Sequence, residues 1–341
     1  MSEQKEKLTY LAGGPDGKVQ VKTALRAMSG LEVLIKVTHS GVCGTDGHDR
    51  TAGCGLGHEG AGLVEKIGKE VTALKVGQRV GWGWMVSSCG HCGQCITGYR
   101  QYCASALGQK YGDVDQGAFG DYVIKHQDFA YPIPDEIESK YAGPLNCAGI
   151  TVYEALHAAG TKSTDVVGVV GLGGLGHLAV MYARAMGCDV TVFSGSKSKK
   201  EDAMKLGATD FRLLPKKGDK ADASQASINV MLLCGGGIPD FEIILPLLAR
   251  QATIVPVVIQ EKPLVIPYFE FLIPGHRIVA STDGTRENHI QALTFAARHN
   301  IRPWIKEYPM TVQGLTDAFT ALDNGELRFR AVLSTELGEV Q

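Results

Sequence analysis

Over the first 150 residues, hydrophobic and polar positions alternate in short runs interrupted by glycine and proline. The clearest runs are residues 31–38 (LEVLIKVT), 62–67, 79–82 and 120–124, each of strand length and bounded by turn-forming residues. This pattern predicts a small, irregular β-barrel with long loops. The texture changes at about Asn146. Residues 151–160 read as a helix, 165–170 (DVVGVV) as a buried strand and 175–186 as a second helix. A strand at 189–193 (DVTVF) and a lysine-rich helix ending at Gly207 follow. Strand, helix and strand at this spacing make a βαβ unit of a parallel sheet. Apolar runs at 228–233, 252–259 and 277–280 supply further strands. Near the C-terminus an amphipathic helix precedes a last strand at 329–333 (FRAVL).

Composition adds bounds to this picture. The chain has 341 residues, 44% hydrophobic and 21% charged, enough for two domains with substantial cores. A net charge of −2 gives no reason to expect nucleic acid or an anionic membrane as partner. Residues 1–7 are polar and lack the apolar core of a signal peptide, and no apolar run approaches the ~20 residues of a membrane span. The expectation is a soluble, cytoplasmic protein. Its nine cysteines include four in one tight cluster, which in a reducing compartment reads as metal binding rather than disulfides.

That cluster is Cys89, Cys92, Cys95 and Cys103. Four thiolates within so short a segment can close a tetrahedron around Zn²⁺, and the intervening glycines let the loop wrap the metal. With four protein ligands no position stays open, so the site is structural. Four unligated thiols would be an oxidation liability, and iron–sulfur spacings match less well. His91 lies inside the loop as a bystander.

Gly171-Leu172-Gly173-Gly174-Leu175-Gly176 follows a predicted strand and opens a predicted helix, the context a GxGxxG motif needs to bind a dinucleotide. Gly171 permits the tight turn, Gly173 lets backbone approach a pyrophosphate, and Gly176 lets helix and strand pack closely. The alternative is a tight βα turn with no ligand. NAD-specific folds place an acid ~20 residues beyond the glycines to bind the ribose 2′-hydroxyl. Here the second strand runs into Ser194, Ser196 and Lys199, with no acid before Glu201. Hydroxyls and an ammonium suit a 2′-phosphate, so NADP(H) is favoured over an ordinary solvated basic helix start.

Three further residues, Cys43, His58 and Cys147, each read as core residues when taken alone. Together they make a Cys₂His set, one known arrangement for catalytic zinc. Nearly the whole chain resembles the zinc-containing medium-chain alcohol dehydrogenases, most of all their cinnamyl-alcohol-dehydrogenase-like branch. The resemblance rests on GVCGTDGH, GHEGAGLVEKIG, the four-cysteine loop, PLNCAGITVYEAL, GLGGLGHLAV and LRFRAVL. It implies a GroES-like irregular β-barrel catalytic domain at 1–150 and 285–341, and a Rossmann doubly wound parallel-sheet domain at 151–284. It also implies two Zn²⁺ per chain, NADP(H), a homodimer, and reversible hydride transfer between the cofactor and an alcohol or aldehyde.

Carried over residue by residue, the resemblance makes Cys43, His58 and Cys147 ligands of the catalytic zinc. Glu59 becomes a nearby carboxylate that can exchange onto the metal, and Asp46 orients His58. Thr45 hydrogen-bonds the substrate oxygen, His48 ends a proton path to solvent, and Thr151 lies near the nicotinamide. Gly174 and Leu175 join the cofactor turn. His39 and His177 serve packing. A reductase of a conjugated C=C or iminium bond is the alternative chemistry, and a non-catalytic nucleotide-binding protein is the alternative class.

The match breaks in three places, all bearing on the substrate. Only 14 residues separate Cys43 from His58, several fewer than relatives have. Thr282 and Asp283 stand where relatives place apolar residues, and Trp84 replaces a smaller one. The short loop and the polar pair imply a wider, more polar pocket. Trp84 cuts the other way, filling space and offering a flat surface on which a ring can stack. The expected substrate is bulky or functionalised. A buried Asp283 would then need a donor from substrate or water, or exposure to solvent.

Overall fold

The computed structural model describes residues 5–216 and 227–340. The chain divides into two compact units, Met1–Ile150 with Asp283–Gln341, and Thr151–Thr282.

In the first unit, the described residues form a seven-stranded sheet. Its main path runs Ile305–Pro309, Arg330–Ser334, Glu32–Val42, Glu59–Ile67, Arg79–Trp82 and Tyr131–Pro132, with Tyr122–His126 also paired to Glu32–Val42. The central strand Glu32–Val42 is longer than its apolar run predicts. Its far end, His39–Gly41, pairs antiparallel with Glu59–Ala61, so one ladder carries the chain up to both Cys43 and His58. Val33, Ile35, Val37, Trp82, Phe119 and Leu333 fill the core beside it. Arg330–Ser334 is buried along its whole length, which brings a residue near the end of the sequence to the central strand.

An N-terminal hairpin, Lys5–Gly13 with Val19–Ala27, lies outside the clearest sequence signals. Its first residues are polar, and Val19–Ala27 has no buried residue, so the alternation that marks a strand is faint. The hairpin pins the short connection between Cys43 and His58. Ala12 bridges to Gly55, and Leu56 N–H donates to the Leu11 carbonyl at 2.9 Å. From the other side Gly55 N–H reaches the Val114 carbonyl at 2.9 Å, and Lys110 pairs with Asp49 at 2.8 Å.

A buried ion pair underlies this region. Lys125 Nζ donates to Asp113 Oδ2 at 2.6 Å with both side chains more than nine-tenths buried, and Arg26 adds a bond to Asp113 Oδ1 at 3.1 Å. Burial alone would raise the Asp113 pKa, but the Lys125 ammonium outweighs it and holds the carboxyl below the ordinary aspartate value. Because the folded pKa is depressed, this stabilisation is complete above the unfolded value of about 3.9 and is lost as pH falls through the folded one. Replacing Asp113 by Asn should cost about 3–5 kcal/mol at pH 7, since it leaves Lys125 buried without its counter-charge. In urea denaturation the gap between the two proteins should narrow as pH drops below about 4. A gap that stays constant down to the acid limit would contradict this account.

In the second unit the sheet is parallel throughout, in the order Asp210–Leu213, Asp189–Ser194, Val166–Val170, Ile228–Leu233, Leu248–Pro256 and Arg277–Ile278. Both faces are covered, which is why these strands read as apolar runs rather than alternations. The chain order reverses at Val166–Val170, and such a switch point opens a crevice at the carboxyl ends of the strands, where ligands bind.

Candidate functional site

Two groups of metal-ligand side chains are assembled in the first unit. The Sγ atoms of Cys89, Cys92, Cys95 and Cys103 all lie within 4.8 Å of one another. Turns at Gly90 and Gly98, both in the left-handed region, and the short helix Gly93–Ile96 fold the loop back on itself. Backbone N–H groups point at sulfur, with Cys92 N donating to Cys89 Sγ at 3.3 Å and Ser105 N to Cys103 Sγ at 3.4 Å. The N–H groups of His91 and Cys92 hold the Cys89 thiol down to about 6. Cys92 moves the other way: the backbone hydrogen bond from Cys95 is outweighed by burial and the neighbouring thiols, which push it up to about 11. Four convergent sulfurs are what a tetrahedral zinc site requires. The His91 side chain stays exposed, outside the set.

The second group is Cys43, His58, Glu59 and Cys147, again with ligand atoms within 4.8 Å of one another. Cys43 precedes the short helix Gly44–His48, and His58 and Glu59 stand at the start of the strand Glu59–Ile67. Cys147 sits in the π-helical turn Leu145–Gly149, a distortion frequent at functional sites. Asp46 ties the segments together. Its Oδ2 accepts Cys43 N–H at 2.9 Å, while Oδ1 accepts Gly57 N–H at 3.1 Å and lies 3.0 Å from His58 Nδ1. That contact leaves His58 Nε2 facing the thiols, 3.4 Å from Cys147 Sγ.

The electrostatics of this group fit a cation. Cys43 is pulled well below the ordinary thiol value, chiefly by the hydrogen bond from Cys147, whose own pKa rises in return. Burial works to lower the His58 pKa, but the Asp46 charge and hydrogen bond overcome it and leave the value raised. Burial pushes Glu59 up to about 7 against the opposing charge of Arg330. One Glu59 oxygen accepts from Arg330, and the other, Oε2, is buried with no protein partner. An orphaned carboxylate oxygen beside two thiols and an imidazole is a set that zinc would satisfy.

Thr45 Oγ1 lies 3.8 Å from Cys43 Sγ, beside that group. His48, at the end of that short helix, faces a hollow of about 320 Å³ lined by Gly44, Gly47, Arg50, Leu322 and Asp323. Trp84 is half-buried with its indole against Gly108, where any Cβ would collide with the ring. Thr282 is exposed and belongs to the second unit. Asp283 is satisfied only in part. Its Oδ1 has a partner within the protein, His289 Nε2 at 3.0 Å, while Oδ2 is buried without one, so the expected need for a further donor stands for that oxygen.

In the second unit the glycine-rich turn forms as its residues require. Gly171 has φ +90° and packs against Gly235, and a Cβ at Gly176 would strike the Gly171 carbonyl. Gly173 has nothing within 4 Å of where a Cβ would stand, so its backbone lies open. Gly174 and Leu175 complete the turn, and Leu175 caps the helix Gly176–Ala185. His177, expected only to pack, sets its Nδ1 3.0 Å from the Gly173 carbonyl. At the end of the second strand, Ser196 N donates to Ser194 Oγ at 3.3 Å, and Ser196 Oγ meets Ser198 Oγ at 2.9 Å. Lys199 Nζ donates to the Leu172 carbonyl at 2.7 Å, which draws the basic segment onto the glycine-rich turn. Thr151 opens the second unit in the helix Ile150–Ala158.

Two residues with clear places here escaped the sequence reading. Ser198 is one, and its signal was the alternating serines of the SGSKSK segment. Arg330 is the other, betrayed only by a cation at an inward position of an otherwise apolar strand.

Comparison with known proteins agrees with this geometry. Residues 29–135 match the alcohol dehydrogenase GroES-like domain, and residues 174–298 the zinc-binding dehydrogenase domain. The chain therefore belongs to the zinc-containing medium-chain alcohol dehydrogenases. Within them it resembles the cinnamyl alcohol dehydrogenases. The Sorghum bicolor enzyme of that name superposes with a TM-score of 0.89 at 30% identity, over 98% of this chain and 99% of that one. The Helicobacter pylori enzyme, solved with NADP(H), gives 0.87 at 26% identity, over 97% and 99%. An NADP-dependent alcohol dehydrogenase of Saccharomyces cerevisiae is 33% identical over 89% of each chain.

Proposed function

We propose that this chain is a zinc-dependent oxidoreductase that transfers hydride between NADP(H) and an alcohol or aldehyde, with a bulky or functionalised molecule as substrate. The observation that carries the reading is the convergence of Cys43, His58 and Cys147, with Glu59 beside them, within 4.8 Å. Those three residues would hold the catalytic zinc, and Cys89, Cys92, Cys95 and Cys103 a second, structural one. When bound, the zinc supplies Lewis-acid polarisation of the substrate oxygen and the nicotinamide supplies or takes up the hydride.

The chain's own residues do the rest. Asp46 fixes the His58 tautomer so that Nε2 presents its lone pair. Arg330 anchors Glu59, which remains able to supply an oxygen to the metal. The Thr45 hydroxyl orients the substrate oxygen, and His48 exchanges the proton with solvent across the hollow it lines. Ser194, Ser196 and Lys199 bind the 2′-phosphate, while Gly171, Gly173, Gly174, Leu175 and Gly176 cradle the pyrophosphate at a helix N-terminus. Thr151 borders the nicotinamide, and Trp84, Thr282 and Asp283 wall the substrate.

We also assign a cytoplasmic homodimer. All nine cysteines are free, as a reducing compartment would keep them. No helix among the described residues is long and apolar enough to cross a membrane. Val265, Tyr268, Phe269, Leu272 and Ile273 are exposed just before Arg277–Ile278, the edge strand of the parallel sheet, and a second copy covering that edge would bury them.

The direct test is NADPH oxidation by zinc-loaded protein against a panel of aldehydes graded in bulk. Bulky oxygenated aldehydes should give the highest kcat/KM. Turnover of conjugated alkenes alone, with no aldehyde reduced, would replace the carbonyl reading by the C=C one.

A further inference from the structure

Asp283, the first residue of the returning segment of the first unit, has φ +48°, in the left-handed region. From there its carboxylate accepts the Nε2–H of His289 at 3.0 Å, with the two side chains 8% and 2% exposed. The His289 ring lies flat on Tyr131, with centroids 4.1 Å apart and planes 7° from parallel. The Tyr131 hydroxyl accepts from Arg100 Nη2 at 2.6 Å, and the Arg100 guanidinium covers the Phe129 ring at 4.1 Å. The imidazole is thus held on its edge by a carboxylate and on its face by an aromatic ring that is itself fixed.

The helix that carries His289, Arg286–Arg298, packs against the turn Leu145–Gly149, and the edge of the ring faces Gly83. A Cβ there would stand 3.4 Å from His289 Cε1 and 2.5 Å from the Asn146 carbonyl oxygen. Gly83 directly precedes Trp84, and Asn146 directly precedes Cys147. The imidazole, the chain that carries Trp84 and the backbone that carries Cys147 therefore meet at one residue that has no side chain of its own to set their spacing.

We infer that His289 is a positioning residue: locked by Asp283 and Tyr131, it sets where Cys147 stands in the zinc site and where Trp84 stands in the substrate wall. The inference rests on the zinc dehydrogenase reading above. A simple filler would not need this chemistry. His289 Nδ1 and Asp283 Oδ2 are buried without partners, a cost that an aliphatic pair would avoid, so what the histidine adds is a fixed ring orientation. Displacement of a supporting group by about 1 Å can change turnover by about a hundredfold, so the arrangement has leverage.

The test replaces zinc by Co²⁺ and reads the cobalt–thiolate absorption alongside kinetics. His289→Phe keeps a flat ring on Tyr131 but loses the bond to Asp283. It should shift the cobalt bands and raise KM for ring-bearing aldehydes by about tenfold relative to small aliphatic ones. The KM for NADPH should stay put. Asp283→Asn keeps an acceptor for Nε2–H and should keep the wild-type cobalt spectrum. Wild-type bands and an unchanged KM ratio in His289→Phe would overturn the inference. So would a spectral shift in Asp283→Asn as large as that in His289→Phe, because charge rather than orientation would then be at work. If His289→Phe fails to fold, His289→Gln, which can donate the same bond without the ring, is read by the same measurements with the same overturning result. Wild-type protein that reduces no aldehyde would defeat the dehydrogenase reading, while the cobalt spectra would still decide whether His289 positions the metal ligands.

Discussion

Wild-type protein should carry two zincs per chain and the Cys43→Ser variant one, with the fold intact and turnover lost. The two sites differ in what surrounds them. Cys89, Cys92, Cys95 and Cys103 organise a glycine-rich loop that has little core of its own, so Cys92→Ser should lower thermal stability and promote aggregation, since structural zinc contributes directly to folding. Cys43 instead stands at the end of a well-packed strand, and its loss removes a ligand without removing the scaffold. Turnover should fall by at least about 10²–10³-fold, the scale of losing one preorganised electrostatic element. Asp46→Asn makes a graded version of the same experiment. Because Asp46 accepts from Cys43 and Gly57 as well as contacting His58, its loss should weaken zinc binding by about 10–100-fold. Elemental analysis after growth in zinc-replete medium reads both outcomes. A Cys43→Ser protein that still holds two zincs, or a wild type that holds one, would refute the assignment of ligands.

Lys199→Ala should raise the KM for NADPH by about tenfold or more and leave that for NADH within about twofold. A charge-assisted bond to phosphate is worth about 1.5–3 kcal/mol, which corresponds to at least a tenfold change in affinity. Lys199 is held toward the glycine-rich turn by its bond to the Leu172 carbonyl, and Ser194, Ser196 and Ser198 form a hydroxyl row just before it. No carboxylate stands in that row to repel a 2′-phosphate or to bind a free 2′-hydroxyl. Steady-state kinetics with both cofactors settles the matter. Equal kcat/KM for NADPH and NADH in the native enzyme would show that the serines and lysine are only a solvated helix start.

The parts of this molecule that could be read from the sequence are those whose chemistry is local. Four cysteines within one short loop can do little else than share a metal, and a glycine-rich turn needs its glycines in order along the chain. The buried parallel strands also announce themselves, because covering both faces makes them continuous apolar runs. The N-terminal hairpin was faint because its second strand, Val19–Ala27, has no buried residue and so leaves no clean alternation. Arg330 could not be connected to Glu59 from spacing, since 271 positions separate them and only the sheet brings them together. Asp283 was legible only in part for the same reason. Its polarity is visible in the sequence, but His289, the partner of Oδ1, lies on a helix whose placement the sequence does not state, while Oδ2 keeps the unmet need that the polarity implies.

The ion pair between Glu59 and Arg330 also bears on how the protein is made. During synthesis the ribosome releases Cys43, His58, Glu59 and Cys147 long before it reaches Arg330, and Arg330–Ser334 then completes the ladder against the central strand. Until that strand arrives, Glu59 has no counter-charge and must stay hydrated or protonated rather than be buried as an anion. The nascent chain can therefore bring Cys43, His58 and Cys147 together early, but Glu59 is paired and buried only when the last strand is in place. On the proposed function, closure of the sheet would be the maturation step of the zinc site.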